Sequence, residues 1–159
     1  MKMTELRDAL EDAGFAGVST LQVAGNILFD EARSGVADQA AQIRATVLGR
    51  FGHDLAVIIR SHGELVDALG RHPFIGDADP SWVSIAFLEG PPSISSIEAI
   101  DHHRFSVERF AVSGSEIFMC HPDGQGRSRL TLSWLERQLD VVGTARNVNT
   151  VAKLIEMTA

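Results

Sequence analysis

Two polar stretches hold the residue types best suited to gripping a charged ligand. The first is Asp123-Gly124-Gln125-Gly126-Arg127-Ser128-Arg129. Its glycines let backbone N–H groups turn toward an anion, while Arg127 and Arg129 supply charge. Ser128 has the type and place of a cap for the helix that follows. The spacing is not that of a G-x-x-x-x-G-K phosphate loop, which also needs a lysine. The competing reading is an Asp-Gly turn followed by a helix cap. The second stretch is Thr144-Ala145-Arg146-Asn147-Val148-Asn149-Thr150. With Asn147 as N-cap, Val148, Val151, Ala152 and Ile155 share one buried face. The free N–H groups of the first turn then point outward beside Arg146, which suits a carboxylate or phosphate. The competing reading pairs Arg146 with an internal carboxylate and leaves both asparagines to hold the turn.

Other candidates are weaker. Gly25-Asn26 reads as a bend needing a residue tolerant of positive φ, with a ligand-facing role as the secondary reading. Arg60 ends an apolar run, where a side chain either enters a cleft or forms a surface ion pair. Asp101-His102-His103 echoes a phosphoesterase motif, but the further aspartates and histidines of such a site are not at the required positions. Cys120 and His121 are neighbours, so on a strand they face opposite ways and do not readily share an ion. No base stands near Cys120 in sequence, which weakens it as a nucleophile. No metal and no cofactor is expected. Trp82 and Trp134, among apolar neighbours, read as core.

The elements that must position these residues follow from periodicity. Leu6, Ala9, Leu10 and Ala13 mark a first helix that stops at Gly14. Residues 18–29 read as two strands around the bend at Gly25-Asn26. Val36, Ala40, Ile43, Val47 and Phe51 trace a second helix ending at Gly52. Residues 55–59 are continuously apolar and read as a strand buried on both faces. Ser61 and Glu64 form a capping-box pair ahead of a third helix. Residues 83–88 read as a strand, Ile94, Ile97 and Ile100 as a short helix. Residues 105–112 and 116–120 read as a hairpin around Ser113-Gly114-Ser115. Residues 130–139 and 148–157 read as helices. The fold class expected is α+β, a sandwich with mostly antiparallel sheet.

A chain of 159 residues makes one domain with a full core. Pro73, Pro80 and the polar residues between them suggest a subdivision into residues 1–75 and 80–159. With 45% hydrophobic and 22% charged residues, the composition is that of a globular protein rather than a disordered one. No apolar run is long enough to span a bilayer, and no secretory leader opens the chain, so no membrane partner is expected. A single cysteine excludes an internal disulfide and points to the reducing cytoplasm. The net charge of −7 is uneven: the first hundred residues carry 7 basic and 14 acidic side chains, the remainder 7 of each. Nucleic acid is therefore an unlikely partner, while a local anion pocket in the second part is compatible with the charge.

Several segments are familiar in their order. Met3-Thr4-Glu5-Leu6-Arg7, Gly14-Phe15 and Gln22-Val23-Ala24-Gly25-Asn26-Ile27-Leu28-Phe29 come first, then Ile59-Arg60-Ser61, His72-Pro73-Phe74 and Phe87-Leu88. His121-Pro122-Asp123-Gly124-Gln125-Gly126-Arg127-Ser128 and the stretch from Thr144 to Thr150 complete the set. The chain resembles the bacterial "domain of unknown function 1697" family over nearly its whole length. The resemblance implies a ferredoxin-like α/β sandwich with a second, smaller α/β portion, and no activity. Ala24, His72 and Val148 depart from the family pattern. The hydrophobic strand and Leu-Arg-Gly-Ile-Asn-Val-Gly-Gly loop with which members begin do not precede Met1. The expectation is a longer natural reading frame, or else strand exchange or a homodimer across the exposed edge.

Two functions follow as expectations. One is binding of a small anionic, phosphate- or nucleotide-like ligand between residues 123–129 and 144–150. There Arg127, Arg129 and Arg146 hold charge, and Ser128, Thr144, Asn147, Asn149 and Thr150 orient the ligand. The other is a non-enzymatic interaction module using an exposed sheet edge. No general base is evident for catalysis.

Overall fold

A computed structural model describes residues 2–21, 25–30 and 35–159. Residues 22–24, part of the strand read ahead of Gly25, lie outside the described residues, and the Ala24 departure lies there too. The chain divides into two compact units between Ile59 and Arg60, ahead of the Pro73–Pro80 stretch. No described helix is long and apolar enough to cross a membrane.

The first unit runs α1 (Met3–Asp12), β1 (Ser19–Leu21), β2 (Asn26–Leu28) and α2 (Val36–Phe51). Helix α1 buries Leu6, Ala9 and Leu10 on one stripe. Gly25 turns the chain between the two antiparallel strands at φ +87°, the positive value read from the Gly-Asn pair. Helix α2 stops at Gly52, whose φ of +73° lets its N–H reach Leu48 O. Leu6, Leu10, Phe15, Val18, Ile43 and Val47 form the core. The order helix–strand–strand–helix is that of the middle of a ferredoxin-like unit.

The strand read at residues 55–59 is a correction. The segment has no helix or strand assignment, and Leu55 is 47% exposed. Val57 and Ile59 do pack on the core, so the apolar run is only partly used. A strand is defined by ladder partners as well as by its own pattern, and no described strand pairs with this segment.

The second unit contains α3 (His62–Arg71), β3 (Val83–Leu88), α4 (Ile94–Glu98) and β4 (Arg109–Ser113). It continues through β5 (Glu116–Cys120), α5 (Leu132–Leu139), β6 (Gly143–Asn147) and α6 (Val148–Thr158). Its four strands lie in the order β4-β5-β3-β6, every neighbouring pair antiparallel. The fold is α+β. The hairpin read around Gly114 is β4–β5, with Gly114 at φ +59°. The capping box is present at the start of α3: Ser61 Oγ accepts the Glu64 N–H, and Glu64 accepts the Ser61 N–H.

Strand β3 is buried at every residue, so alternation cannot be read from its sequence. Its register assigns the two faces of the sheet. Ala86 lies opposite Ile117 and Ala145, and with Leu88, Met119 and Phe110 these side chains meet Leu130, Leu135 and Leu139 of the α5 layer. Ile85 lies opposite Phe118 and Arg146, on the reverse face. There the Arg60 guanidinium sits 5.6 Å from the Phe87 ring centre and donates to Leu88 O and Ser115 O. Arg60 is thus neither a surface ion pair nor a cleft residue; its side chain is 14% exposed and holds backbone carbonyls. Trp82 is also corrected: it ends a 3-10 turn (Pro80–Trp82) and is 41% exposed, whereas Trp134 packs on the core as read.

Strand β6 meets β3 closely at Gly143. A Cβ there would stand 2.7 Å from Leu88 Cδ2 and 2.9 Å from the Phe87 carbonyl oxygen. Gly143→Ala should therefore cost about 1–3 kcal/mol by forced overpacking. The expected readout is a lower urea midpoint with an unchanged slope.

His72 caps the end of α3 and is buried. Its Nε2 donates to Ser84 O at 2.9 Å and its Nδ1 accepts the Phe74 N–H at 3.1 Å, which fixes one neutral tautomer. Burial pushes its pKa below the ordinary 6.5, with the bond to Ser84 O opposing. The unfolded ring therefore takes its proton at higher pH than the folded ring. Its contribution is complete above pH 6.5 and is lost as the pH falls toward the folded value. Melting temperature should decline across that window in the wild type and more shallowly in His72→Asn.

Candidate anion-binding site

Residues 123–129 link β5 to the approach of α5. Gly124 adopts φ +85°, and its N–H donates to His121 O at 2.9 Å. The Ser128 N–H donates to Gln125 O at 3.1 Å. These two amides are used in turns, so the backbone cradle expected of the glycines is not formed by them. Ser128 is likewise not the helix cap. Thr131 caps α5 through the Trp134 N–H, while Ser128 Oγ accepts the Leu130 N–H and donates to Glu108 at 3.0 Å.

Arg127 and Arg129 open onto a cavity of about 300 Å³ shared with His103, Arg104, Phe105 and Glu108. Residues 102–104 form a 3-10 turn whose His103 N–H is capped by Asp101. His102 stacks on Phe110 at 4.4 Å, anchoring that turn to the core. The Arg104 guanidinium lies over the Trp134 ring at 5.1 Å, a contact made through its face that leaves its N–H edge for other partners. Phe105 meets both Phe110 and Trp134 edge-on. Glu108 lies below the ordinary carboxylate range because its own backbone N–H donates to it, against burial and with help from Ser128.

No ion pair among the described residues involves Arg104, Arg127 or Arg129. Three arginines thus line one cavity with a single carboxylate, itself committed to Ser128. Guanidinium forks match carboxylate and phosphate oxygens two at a time. The volume lies at the low end of small-molecule sites.

The second polar stretch is elsewhere. Asn147 caps α6 by accepting the Thr150 N–H at 2.9 Å, as read from the sequence, and Val148 and Val151 are buried. Arg146 donates to Thr144 Oγ1 and Ala145 O and projects from the reverse face of the sheet, opposite Ile85. Burial lowers its pKa. Neither Thr144, Arg146, Asn147, Asn149 nor Thr150 lines the arginine cavity. The structure brings together Arg127 and Arg129 with Arg104, and does not bring Arg146 to them. Gly25, Asn26 and Arg60 are likewise not among its lining residues. His103, Arg104 and Glu108 carry no local sequence signal of such a site and join Arg127 and Arg129 only through the fold.

The family described as "Protein of unknown function (DUF1697)" matches residues 1–118. The chain belongs to this family. The match ends before the 123–129 loop, so Arg127 and Arg129 lie outside the matched part. No curated protein matches the DUF1697 chain. Among solved structures it is similar to a conserved bacterial protein from Streptococcus pneumoniae. The two share 20% identity at a TM-score of 0.73, over 99% of this chain and 89% of that one. That likeness shows the shared fold.

Cys120 is fully buried on the reverse face of the sheet, and burial raises its pKa. The thiol should stay silent to an aromatic disulfide reagent in the native protein and react fully in denaturant. Fast labelling of the native protein would mean β5 is open at its end.

Proposed function

We propose that this DUF1697 protein binds a small phosphate-bearing metabolite in the cavity formed by residues 102–108 and the 123–129 loop. The observation that carries this reading is the convergence of Arg104, Arg127 and Arg129 on one cavity without carboxylate ion pairs among the described residues. Like charges gathered on a protein with a net charge of −7 repel one another unless an anion sits between them. Phe105, half-buried at the wall, offers an apolar surface for the rest of the ligand. The cytoplasm is the setting this reading assumes, supported by a sequence with a single cysteine.

A thermal-shift titration with pyrophosphate tests it. Wild type should gain melting temperature with concentration, by about 2.7 kcal/mol of stabilisation at a hundred times the dissociation constant. The double variant Arg127→Ala/Arg129→Ala should lose the shift, and Arg146→Ala should keep it. An equal shift in all three proteins, or none in wild type, would overturn the proposal.

A further inference from the structure

The arginine cavity contains a side chain that phosphate binding alone does not explain. Glu108 is the one carboxylate among its lining residues, and it is half-buried. Three arginines line the same cavity, yet no ion pair among the described residues involves Glu108. Its Oε1 instead accepts from Ser128 Oγ at 3.0 Å, and Ser128 Oγ in turn accepts the Leu130 N–H. The carboxylate is thus fixed by the same loop that carries Arg127 and Arg129. Backbone N–H groups of Glu108 and Val107 also favour its charged form, so it is ionised at neutral pH.

A fixed negative charge in an anion site weakens the binding of a bare anion. It becomes useful when the ligand brings a hydrogen-bond donor as well as a phosphate. A carboxylate accepts at about four lone-pair sites, and Ser128 with the two backbone groups leaves about one for a ligand.

The charge around the cavity decides what kind of donor fits. Three arginines against one carboxylate leave two positive charges. A phosphate monoester carries about −1.5 to −2 near pH 7. One phosphate group therefore balances the cavity and leaves the rest of the ligand neutral. An ammonium donor would enter beside Arg104, Arg127 and Arg129 and be repelled by each. A hydroxyl donates to Glu108 without that cost. Acidic side chains hold ribose hydroxyls in the same way in dinucleotide sites.

Building on the phosphate reading of this cavity, we infer that its ligand is a phosphate monoester of a polyol or sugar, with Glu108 accepting from a hydroxyl of the skeleton. The arginines hold the phosphate, and Phe105 offers its ring to the carbon–hydrogen side of the skeleton. Glu108 is then the residue that separates hydroxylated phosphate esters from plain ones.

The test uses the full chain in calorimetric titrations at about pH 8, where phosphate monoesters are dianions and imidazoles neutral. The probes are α-glycerophosphate, propyl phosphate and phosphoethanolamine; the first two share a carbon skeleton and differ in their hydroxyls. Wild type should bind α-glycerophosphate about ten-fold more tightly than propyl phosphate. Phosphoethanolamine should bind no more tightly than propyl phosphate. Glu108→Gln removes the charge, keeps the shape and still accepts from Ser128. It should bind propyl phosphate more tightly than wild type does, and prefer α-glycerophosphate by only about three-fold. A purely structural role would instead weaken both probes by one factor, which would overturn the inference. So would equal binding of the first two probes by wild type, or tighter binding of phosphoethanolamine than of α-glycerophosphate. Pyrophosphate separates the two failures: if it still raises the melting temperature, the phosphate reading stands without the polyol. If it does not, both fall.

Discussion

The second unit depends on the burial of strand β3. All six of its residues are enclosed, with β5 on one side and β6 on the other. A carbonyl oxygen has two lone pairs, and the ladder uses only one. Leu88 O accepts from Arg60 and Ser84 O accepts from His72. These two residues flank α3, one just before its Ser61 cap and the other at its C-cap. A helix of ten residues is about 15 Å long, and four residues of strand span about 13 Å. The helix and the strand segment match in length, so α3 is tied at both ends to one strand. A helix held in this way needs little apolar area, and α3 buries only Leu65 and Ala68.

The reverse face of the sheet concentrates cations in a way that composition does not suggest. Arg71 lies over Phe118 at 5.5 Å and reaches Glu116 at 3.0 Å, while Arg60 stands 4.0 Å from the same carboxylate. Glu116 is buried, and removing either partner would leave its charge poorly compensated. These arginines are structural: their guanidinium groups are used on carbonyls, a carboxylate and aromatic faces. Arg104, Arg127 and Arg129 differ in being exposed and in making no ion pair among the described residues. The two sets have the same side chain, so burial and partners alone separate scaffold from candidate site.

Local signals in the sequence were legible where local physics decides. Gly52 ends α2, Ser61 and Glu64 cap α3, Asn147 caps α6, and Gly114 turns the β4–β5 hairpin, all within a few residues of their causes. Residues 55–59 show the limit, since a strand exists only through partners that are distant in the chain. The site shows the same limit more sharply. Arg127 and Arg129 were visible beside their glycines, but Arg104 belongs with them only because His102 stacks on Phe110 and Arg104 on Trp134. Arg146 looked equivalent in sequence. The alternation of β6 sends it to the other face, and that direction is settled by its pairing with Ile85.

The strand order has a consequence for how the molecule is made. Strand β3 is synthesised well before either neighbour, and β6, which closes its second edge, comes from residues 143–147. Until then an almost wholly apolar segment, Val83-Ser84-Ile85-Ala86-Phe87-Leu88, holds one side of its backbone open. Such a segment is a template for pairing with any other extended chain. The nascent protein therefore passes through a stage in which its best-buried strand is its most adhesive one. Capture by a holdase chaperone would act on this stage, and its need would end when β6 docks.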